Sequence, residues 1–477
     1  MVDRTRTRRT HPRRDALRLG AIAGVVALAP AVPAAASSPA FRHGVASGDP
    51  LPDRVVLWTR VTPTDDATPG SGRGPDVTVD YEIADDAAFR RVVARGCART
   101  GPHRDHTVKL DVAGLRPNRR YYYRFTYDGT RSPVGRTRTA PSRRADVEAL
   151  RFGVVSCSNW GVGHFAAYRH LAERDDLDAV LHLGDYLYEG HDGTTVPLRP
   201  AEPPHETVTL ADYRQRHAQY QTDPDLQQLH AAYPWIITVD DHEFADNAWA
   251  GGSPSHTEGD EGTWADRKAA ALRAYREWMP VRFDGEHVYR RLRYGTLAEI
   301  TMLDLRGYRS RQLEPGQQDT PDRTMTGGVQ TNPDQWDGYR HDRDAVLSWP
   351  AERNIADTVF LTGDVHCSWA FEVPGDGYPV RPPLATELVV PSVTSDNIDE
   401  LTGSPPRTTS LAIEAALLGL NRHLKWVELD SHGYAVLDVT AARIRLDWYF
   451  LADRTRRDSP ATLAKSVTVG SGSQRLS

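Results

Sequence analysis

The chain repeats one arrangement of hydrophobic and polar positions five times. In each case a short apolar run, typical of a buried strand, ends abruptly in residues that can bind metal or phosphate, whereas turn residues ordinarily follow a strand. Ligands of open α/β sheets bind outside the carboxyl ends of the strands, so these ends would bring the polar groups into one small volume. That pattern is typical of a metal-dependent hydrolase. The five segments are LRFGVVSCSNW, AVLHLGDYLYEG, WIITVDDHEF, AEITMLDLRGYRSR and TVFLTGDVHCSW, at residues 150–160, 179–190, 235–244, 298–311 and 358–369.

Segments of helical periodicity lie between these predicted strands. Apolar residues recur at three- and four-residue steps in residues 164–177, 210–233 and 264–280. The first of these helices lies between two of the strands and predicts a βαβ unit. Residues 288–306 and 433–452 have the pattern of hairpins. We therefore predict an α/β fold with mixed sheets.

Residues 41–140 show only strand patterns. Short runs of apolar and β-branched residues are separated by Pro, Gly and Asp, which predicts a small β-sandwich that resembles fibronectin-III-like modules. We expect the domain organisation to be an export signal in residues 1–36, the β-sandwich domain in 37–140, a polar linker in 141–149, a catalytic domain in 150–452 and a polar tail in 453–477.

Composition narrows the range of functions. The 477 residues carry a net charge of −6 at pH 7, so a general polyanion-binding surface and stable nucleic-acid binding are not favoured, and any anion must bind at a local site. Three cysteines are present, Cys97, Cys157 and Cys367, which excludes a disulfide-rich scaffold. One disulfide is compatible with this number, and the sequence does not decide whether Cys97 is free.

The N-terminus has the features of an export signal. Basic residues crowd positions 4–18, an apolar stretch follows at 19–30, and small residues at 31–36 suit signal peptidase. The apolar stretch is too short to span a bilayer permanently. Paired arginines at 8–9 or 13–14 favour export by the twin-arginine translocase, with an ordinary general-secretion signal as the alternative. We therefore expect a secreted or extracytoplasmic protein without an integral membrane segment after processing.

Two consecutive strand ends carry candidate ligands of different chemistry. Asp185 follows a glycine, and a carboxylate there could bridge two cations. Tyr188 can return to the same side after one turn, and a phenolate is a good ligand for ferric iron. The alternative is a turn aspartate beside a packed tyrosine. Cys157 could be a small buried hydrophobe or a thiolate nucleophile, but its expected place beside Asp185 favours a ligand of a transition metal.

Two further strand ends are rich in acids and histidines. In the segment DDHE, buried polar groups are costly unless they are paired or liganded. Asp241 could complete a second metal position, and His242 could donate a proton to a leaving group or stabilise a phosphoryl oxygen, with Glu243 orienting it. A helix start capped by aspartate is the alternative. Asp364 and His366 lie two apart, so in an extended segment they face one side and could serve a two-metal site; a core histidine is the alternative for His366.

Arg306 follows the fourth strand and offers a planar, permanently cationic fork that could hold phosphate oxygens. Arg309 lies near it, and we prefer Arg306 of the two. The alternative for each is a surface salt bridge.

These motifs, in this order, resemble the PhoD-like alkaline phosphatase and phosphodiesterase family of the calcineurin-like metallophosphoesterases. The resemblance implies a four-layer αββα core preceded by a small β domain. It also implies an active site with ferric iron (Fe³⁺), bound by thiolate and phenolate, together with calcium. The motifs that carry it cover nearly the whole chain: FRHGVASGDP with VVLWTRV, SCSN, LGDYLYEG, VDDHEFADNAW, LDLRGYRSRQ, TGDVHCSW and HGYAVLDV.

The resemblance also implies roles for individual residues. Cys157, Asp185 and Tyr188 take the positions of iron ligands, with Asp185 as the bridge. Asp241 stands where the superfamily places an asparagine that binds the second metal. Asp364 makes the second site richer in oxygen, which favours Ca²⁺. The complete set of expected metal ligands is Cys157, Asp185, Tyr188, Asp241, Asp364 and His366; we expect His242 and Arg306 to act in catalysis, and Arg306 and Asn159 to contact the substrate.

We therefore expect hydrolysis of a small phosphate monoester or diester by metal-activated hydroxide that attacks in line. The closest alternative is a phosphodiesterase of phospholipase D type that acts on lipid head groups. Two further alternatives are a secreted protein that binds metal and anion without turnover, and an enzyme with a cysteine nucleophile.

Overall fold

The computed structural model describes residues 39–190, 195–285, 287–311, 334–375 and 378–477. The predicted export signal lies outside them. Within the described residues the helices are α1 (Ala166–Ala172), α2 (Leu210–Tyr220), α3 (Pro224–Ala232), α4 (Trp264–Trp278), α5 (Arg340–Glu352), α6 (Ile398–Thr402) and α7 (Thr409–Leu420). The strands are β1 (Val45–Gly48), β2 (Arg54–Arg60), β3 (Val77–Ala84), β4 (Val92–Thr100), β5 (Thr107–Ala113), β6 (Arg120–Tyr127), β7 (Thr130–Arg131), β8 (Gly135–Arg138), β9 (Ala149–Val155), β10 (Ala179–His182), β11 (Pro234–Ile237), β12 (Arg290–Tyr294), β13 (Ala298–Met302), β14 (Val359–Thr362), β15 (Ser368–Val373), β16 (Ala385–Val389), β17 (Leu424–Glu428), β18 (Gly433–Thr440), β19 (Arg443–Leu451) and β20 (Ala461–Gly470).

The largest sheet has nine strands in the order β20-β19-β18-β9-β10-β11-β1-β2-β5. Its centre, β9-β10-β11-β1, is parallel, with Val180 opposite Gly153 on one side and Trp235 on the other. Helical crossovers make this direction possible, because α1 connects β9 to β10, and α2 and α3 connect β10 to β11. The outer strands are antiparallel. The sheet is mixed, and the carboxyl ends of β9, β10 and β11 lie at one edge.

Alternate residues of the central strands face two different apolar layers. In β10, Val180 packs with a cluster drawn largely from α1 to α4, whereas Ala179 and Leu181 pack with a cluster that includes residues of β15 and β16. The second sheet, β14-β16-β15-β17, is covered on its far side by α7 through Leu417. This arrangement confirms the four-layer αββα core.

The N-terminal strands form a sandwich that shares a sheet with the rest of the chain. Strands β3, β4, β6, β7 and β8 form a separate five-stranded sheet, whereas β1, β2 and β5 extend the nine-stranded one. The two layers enclose a core that includes Val55, Leu57, Ile83, Tyr123 and Phe125. The predicted β-sandwich is present, but one of its layers belongs to the main sheet instead of a separate domain. The reason is backbone pairing of β1 with β11, which removes an open edge from both.

Residues 461–470 of the polar tail that we predicted for 453–477 instead form strand β20 of the main sheet. Strand β20 pairs along its length with β19, and Val467 and Val469 are buried. Its alternating Lys, Ser and Thr positions obscured it, because an antiparallel edge strand can keep one face in water. No helix of the described residues is long and apolar enough to cross a membrane.

Candidate metal centre

Four strand ends deliver acidic, thiol and imidazole groups to one place, at the ends of β9, β10, β11 and β14. Among the residues that the structure describes, three groups of potential ligand atoms result, and within each group the atoms lie within 4.8 Å of one another. Asp185 belongs to all three. The groups are Cys157, Asp185 and His366; Asp185, Asp241 and His242; and Asp185, Asp240, Asp241 and Asp364.

The backbone is strained after three of these strands, β9, β10 and β14. Cys157, Asp185, Asp364 and His366 have φ values of 57°, 52°, 68° and 61°. Residues with a Cβ rarely adopt the left-handed region, which costs about 1–3 kcal/mol for each residue, and such residues cluster at functional sites. All four residues belong to the groups of potential ligands, so the strained positions coincide with the candidate site.

The first group has thiol, phenol and imidazole around one carboxylate. The Cys157 Sγ and the Tyr188 Oη lie 3.5 Å and 3.4 Å from Oδ2 of Asp185. The Tyr188 Oη also lies 3.1 Å from Nε2 of His366. Nδ1 of His366 lies 2.8 Å from the carbonyl oxygen of Asp396, to which it donates. This bond fixes the tautomer in which Nε2, on the side of Tyr188, carries the lone pair that could bind a metal.

Arg306 lies among the carboxylates of the oxygen-rich group. Its Nε lies 2.5 Å from Oδ1 of Asp240, and its Nη2 lies 2.8 Å from Oδ1 of Asp364 and 3.5 Å from Oδ1 of Asp241. Its Nη1 donates to both oxygens of Asp334 at 2.8 and 2.9 Å. We expected this guanidinium to hold phosphate oxygens, but in the structure its donors are directed at carboxylates. Buried acids require a compensating cation, and Arg306 supplies it.

His242 is oriented by a different acid from the one we predicted. Its Nδ1 lies 2.7 Å from Oε2 of Glu189, and its ring packs against Tyr188 with 4.0 Å between the ring centroids. Burial opposes the charged imidazole, but the carboxylates of Glu189, Asp241 and Asp185 outweigh it, so the pKa of His242 is raised well above its ordinary value. The prediction that Glu243 orients His242 is wrong, because Glu243 accepts the backbone N–H groups of Asp185, Tyr186 and Asp240.

Asn159 and Arg309 are the remaining residues that we weighed for substrate contact. Asn159 is buried, and its Oδ1 accepts the backbone N–H of Gly161 at 2.9 Å. Arg309 donates to the side chain of Asp334 and to the carbonyl oxygen of Ala248. The role of Asn159 in substrate binding stays a prediction.

The acidic groups perturb one another strongly. Burial, with neighbouring carboxylates, raises the pKa of Asp185 well above its usual range, that of Asp240 to about 8 and that of Asp364 to about 6. For Asp241, burial is outweighed by Arg306 and His242, and the pKa falls to about 2. These four acids, which lie close together after the ends of three strands, therefore cannot all ionise easily without further positive charge.

The donor atoms fit two kinds of cation. Within the described residues, Oδ1 of Asp185 and Oδ1 of Asp241 are buried and accept no hydrogen bond, although Nη2 of Arg306 lies 3.5 Å from Oδ1 of Asp241. A bound cation would relieve this unfavourable state. The group with Cys157 and His366 offers sulfur, nitrogen and oxygen, which suits a transition metal. The group with Asp364 offers only carboxylate oxygens, which suits a hard cation such as Ca²⁺.

The environment of Cys157 is unlike that of a nucleophile. Its side chain is buried, and burial together with Asp185 raises the pKa of the thiol well above its usual value. Nucleophilic cysteines have lowered pKa values and partial exposure. A thiolate at this position needs a cation beside it, which argues against the cysteine-nucleophile alternative. All three cysteines are free, and Cys97 is exposed.

Together with two family models, this four-layer αββα core and the side chains at its strand ends define the class of the protein as a phosphoesterase. Residues 152–333 and 329–448 match the family model of the PhoD-like phosphatases, and residues 27–141 match the model of the N-terminal domain of these phosphatases. The chain belongs to the PhoD-like phosphatase family.

Two comparisons agree with this membership. The chain is 35% identical to alkaline phosphatase D of Bacillus subtilis (strain 168) over 466 residues, which cover 86% of this chain and 78% of that protein. The solved structure of PhoD has a TM-score of 0.81 to this structure, with 32% identity, and the match covers 92% of both chains. The first relative therefore shares the sequence of this chain over most of its length, and the second shares both its sequence and its fold.

Sequence reasoning missed three residues of the site. Glu189 was overlooked because it lies four positions beyond Asp185, in a loop without periodicity. Asp240 was passed over in favour of Asp241, since consecutive acids cannot be separated without the backbone turn. Ser395, whose hydroxyl lies 2.6 Å from the Tyr188 Oη, lies in a segment without a recognisable motif.

Proposed function

We propose that the protein is an extracytoplasmic metal-dependent phosphoesterase that hydrolyses phosphate monoesters or diesters. The observation that carries the proposal is the position of Asp185, whose carboxylate belongs both to the thiol and imidazole group and to the all-carboxylate group. A carboxylate shared by two adjoining ligand sets is the arrangement that a two-metal hydrolase needs. Membership of a phosphatase family supports the same reaction.

The proposed metals follow from the chemistry of the donors. Cys157, Asp185, Tyr188 and His366 would hold ferric iron, because thiolate and phenolate are ligands that this ion accepts. Asp185, Asp241 and Asp364 would hold calcium. When bound, such cations polarise phosphoryl oxygens and generate hydroxide at neutral pH.

Two side chains of the protein would assist the reaction, His242 by transferring a proton and Arg306 by compensating charge. Charged His242, held by Glu189 at 2.7 Å, would give its proton to the leaving oxygen, which otherwise departs as an unstable anion. Arg306, held by Asp240, Asp334 and Asp364, would act by compensating charge among the acids. Its reach to a phosphate oxygen requires release of Asp364.

The proposal covers three classes of phosphate ester, which assays can separate. A phosphate monoester, a nucleotide diester and a phospholipid head group could each meet the same centre, because each has a tetrahedral phosphorus with at least two non-bridging oxygens that cations can polarise. Initial rates on 4-nitrophenyl phosphate, on bis(4-nitrophenyl) phosphate and on phosphatidylcholine vesicles separate these substrates. A protein that binds metal and phosphate but turns over none of them is the non-catalytic alternative.

The central test pairs two neighbouring tyrosines. Tyr188→Phe removes the proposed phenolate, whereas Tyr186→Phe removes a buried hydroxyl that bonds to His230 at 2.9 Å on the helical side of the sheet. We expect Tyr188→Phe and Asp185→Asn to lose bound iron and at least 100-fold in kcat, and Tyr186→Phe to keep both. Elemental analysis and rates measure this outcome. Full activity and full iron in Tyr188→Phe and Asp185→Asn would refute the proposal.

A further inference from the structure

A loop after β16 lies against two of the segments that carry proposed ligands. The backbone N–H of Ser392 donates to the carbonyl oxygen of His366 at 2.9 Å, and that of Val393 donates to the carbonyl oxygen of Ser156 at 2.9 Å. The carbonyl oxygen of Asp396 accepts from Nδ1 of His366. Residues 392–396, which we call the support loop, therefore bond to both segments.

Ser395 has one hydroxyl proton and two acceptors within reach. Its Oγ lies 2.6 Å from the Tyr188 Oη and 3.0 Å from the carbonyl oxygen of Cys157, and the side chain is fully buried. A phenol at Tyr188 carries its own proton, so Ser395 can bond to the carbonyl oxygen. A phenolate has lost that proton, and a charge-assisted bond from Ser395 is then the stronger of the two.

Arg454 holds the support loop on both sides of Ser395. Its Nη1 donates to the carbonyl oxygen of Thr394, and its Nη2 lies 2.7 Å from Oδ1 of Asp396. The same Nη2 lies 2.9 Å from Oγ1 of Thr195, which itself donates to Asp396 at 2.7 Å. Arg454 is only 5% exposed. It lies beyond residue 448, where the match to the family model ends.

We propose that Ser395 and Arg454 are positioning residues for the metal ligands Tyr188 and His366. Ser395 holds the phenolate oxygen of Tyr188, and Arg454 holds the loop whose carbonyl group orients the His366 ring. Neither side chain touches the substrate. The inference rests on the proposed function, because it needs Tyr188 and His366 to bind a metal. It also gives the C-terminal segment a role at the centre, since that segment supplies Arg454.

The first experiment compares two serines of the support loop in the purified holoenzyme. Ser395→Ala removes the bond to Tyr188, whereas Ser392→Ala removes a buried hydroxyl that bonds to His432 at 2.9 Å and to the carbonyl oxygen of Ser395. Without its hydrogen bond the phenolate holds its electrons less tightly. We therefore expect the phenolate-to-iron absorption band of Ser395→Ala to move to longer wavelength. The lost hydrogen bond also no longer positions the phenolate or favours it over the protonated phenol, so the affinity for iron, measured by chelator competition, should fall about 10-fold or more. Ser392→Ala should match the wild type.

The second experiment compares two arginines of the C-terminal segment. Arg454→Met removes the hydrogen bonds to Thr394 and Asp396. Arg454→Lys keeps the positive charge but loses the forked geometry of the guanidinium. Arg456→Met is the control, because Arg456 is exposed and pairs with Asp458. We expect both Arg454 variants to lose iron faster than the wild type and Arg456→Met to retain it. Thermal unfolding of the chelated proteins reports any general loss of stability.

The outcomes separate the two proposals. A wild-type protein that purifies without iron and shows no such band overturns the proposed metal centre, and this inference with it. A wild-type band that stays unchanged in Ser395→Ala, with unchanged iron affinity in Arg454→Lys, overturns the inference alone. Equal band shifts in Ser392→Ala and Ser395→Ala also overturn it, because general loosening of the loop would then explain both.

Discussion

Nη2 of Arg306 lies 2.8 Å from Oδ1 of Asp364, which gives one acid of the candidate calcium site a permanent counter-ion from the chain itself. In the proposed site, an arginine and a divalent cation would therefore neutralise the same carboxylates. Charge compensation by Arg306 keeps these acids at one strand edge, and it also sets the electrostatic background against which a cation binds.

Arg306→Gln should lower the free energy of unfolding of the protein stripped of metal by a chelator by about 3–5 kcal/mol. The reason is that removing one partner of a buried ion pair leaves the other uncompensated. Added Ca²⁺ should then recover more stability in this variant than in the wild type. Chemical denaturation with chelator and with Ca²⁺ measures both quantities. Arg309→Gln is the control, since Arg309 bonds to Asp334 and should leave the Ca²⁺ increment unchanged. Equal increments in Arg306→Gln and the wild type would contradict this role.

Glu189→Gln should cost about 1.5–3 kcal/mol of stability in the chelated protein near pH 5–6, because it removes a charged hydrogen bond to His242. The raised pKa of His242 makes its contribution complete below the ordinary value of 6.5, and the contribution is lost as pH rises through the raised pKa. The pKa of Glu189 is lowered: burial opposes the lowering, but the charge of His242 outweighs it. Its contribution is therefore complete above 4.5 and is lost as pH falls through the lowered pKa.

Denaturation at pH 5, 6 and 9.5 measures this dependence. The difference between Glu189→Gln and the wild type should be largest at pH 5–6 and should shrink as the pH rises through the raised pKa of His242. Glu258→Gln serves as control, because Glu258 pairs with His256 at an exposed position. A difference that stays constant across the whole range would show that the pair contributes without proton linkage.

Gly184→Ala should displace the strand ends that carry Asp185 and Asp240. Gly184 has φ of 111°, and an added Cβ would lie 2.6 Å from Cβ of Asp240 and 2.9 Å from its backbone nitrogen. We expect strain of about 1–3 kcal/mol and a loss of bound metal, measured by denaturation and elemental analysis. Gly259→Ala has a comparable φ of 94° but no atom within 4 Å, so it should show strain without metal loss. Metal loss in both variants would mean that the contact with Asp240 is not the cause.

Val467→Ala should destabilise the protein by about 2 kcal/mol, since two buried methyl groups are lost from β20. Val467 is 5% exposed and packs in the cluster between the two sheets. Leu463→Ala, on the same strand but 50% exposed, should cost less than about 0.5 kcal/mol. Urea midpoints provide the measurement. Similar small effects in both variants would show that β20 does not contribute to the core.

The sequence supports prediction of the layers better than of the edges. Buried strands such as β10 can be predicted from their continuous apolar residues, and the polar residues that follow them indicate where the site lies. Strand β20 was missed because its polar residues face water. The fusion of β1 to the main sheet was missed because pairing between backbones leaves no mark on side-chain composition.

Within the site, ligand types could be predicted, but partners could not. The acids after β11 suggested a cluster, yet which acid orients His242 depends on the left-handed turn at Asp185, which places the following loop and its Glu189 beside the ring. Arg306 was correctly placed near the site, but its contacts with several acids depend on distances that only the folded chain defines.

The carboxylate of Asp185 has one further consequence. Because one side chain belongs to both ligand sets, the two proposed cations would not bind independently of each other. Occupancy of either position must change the affinity of the other by the same factor. Titration with one ion at fixed concentrations of the second should therefore give reciprocal shifts, and stripping the weaker ion should alter retention of the tighter one.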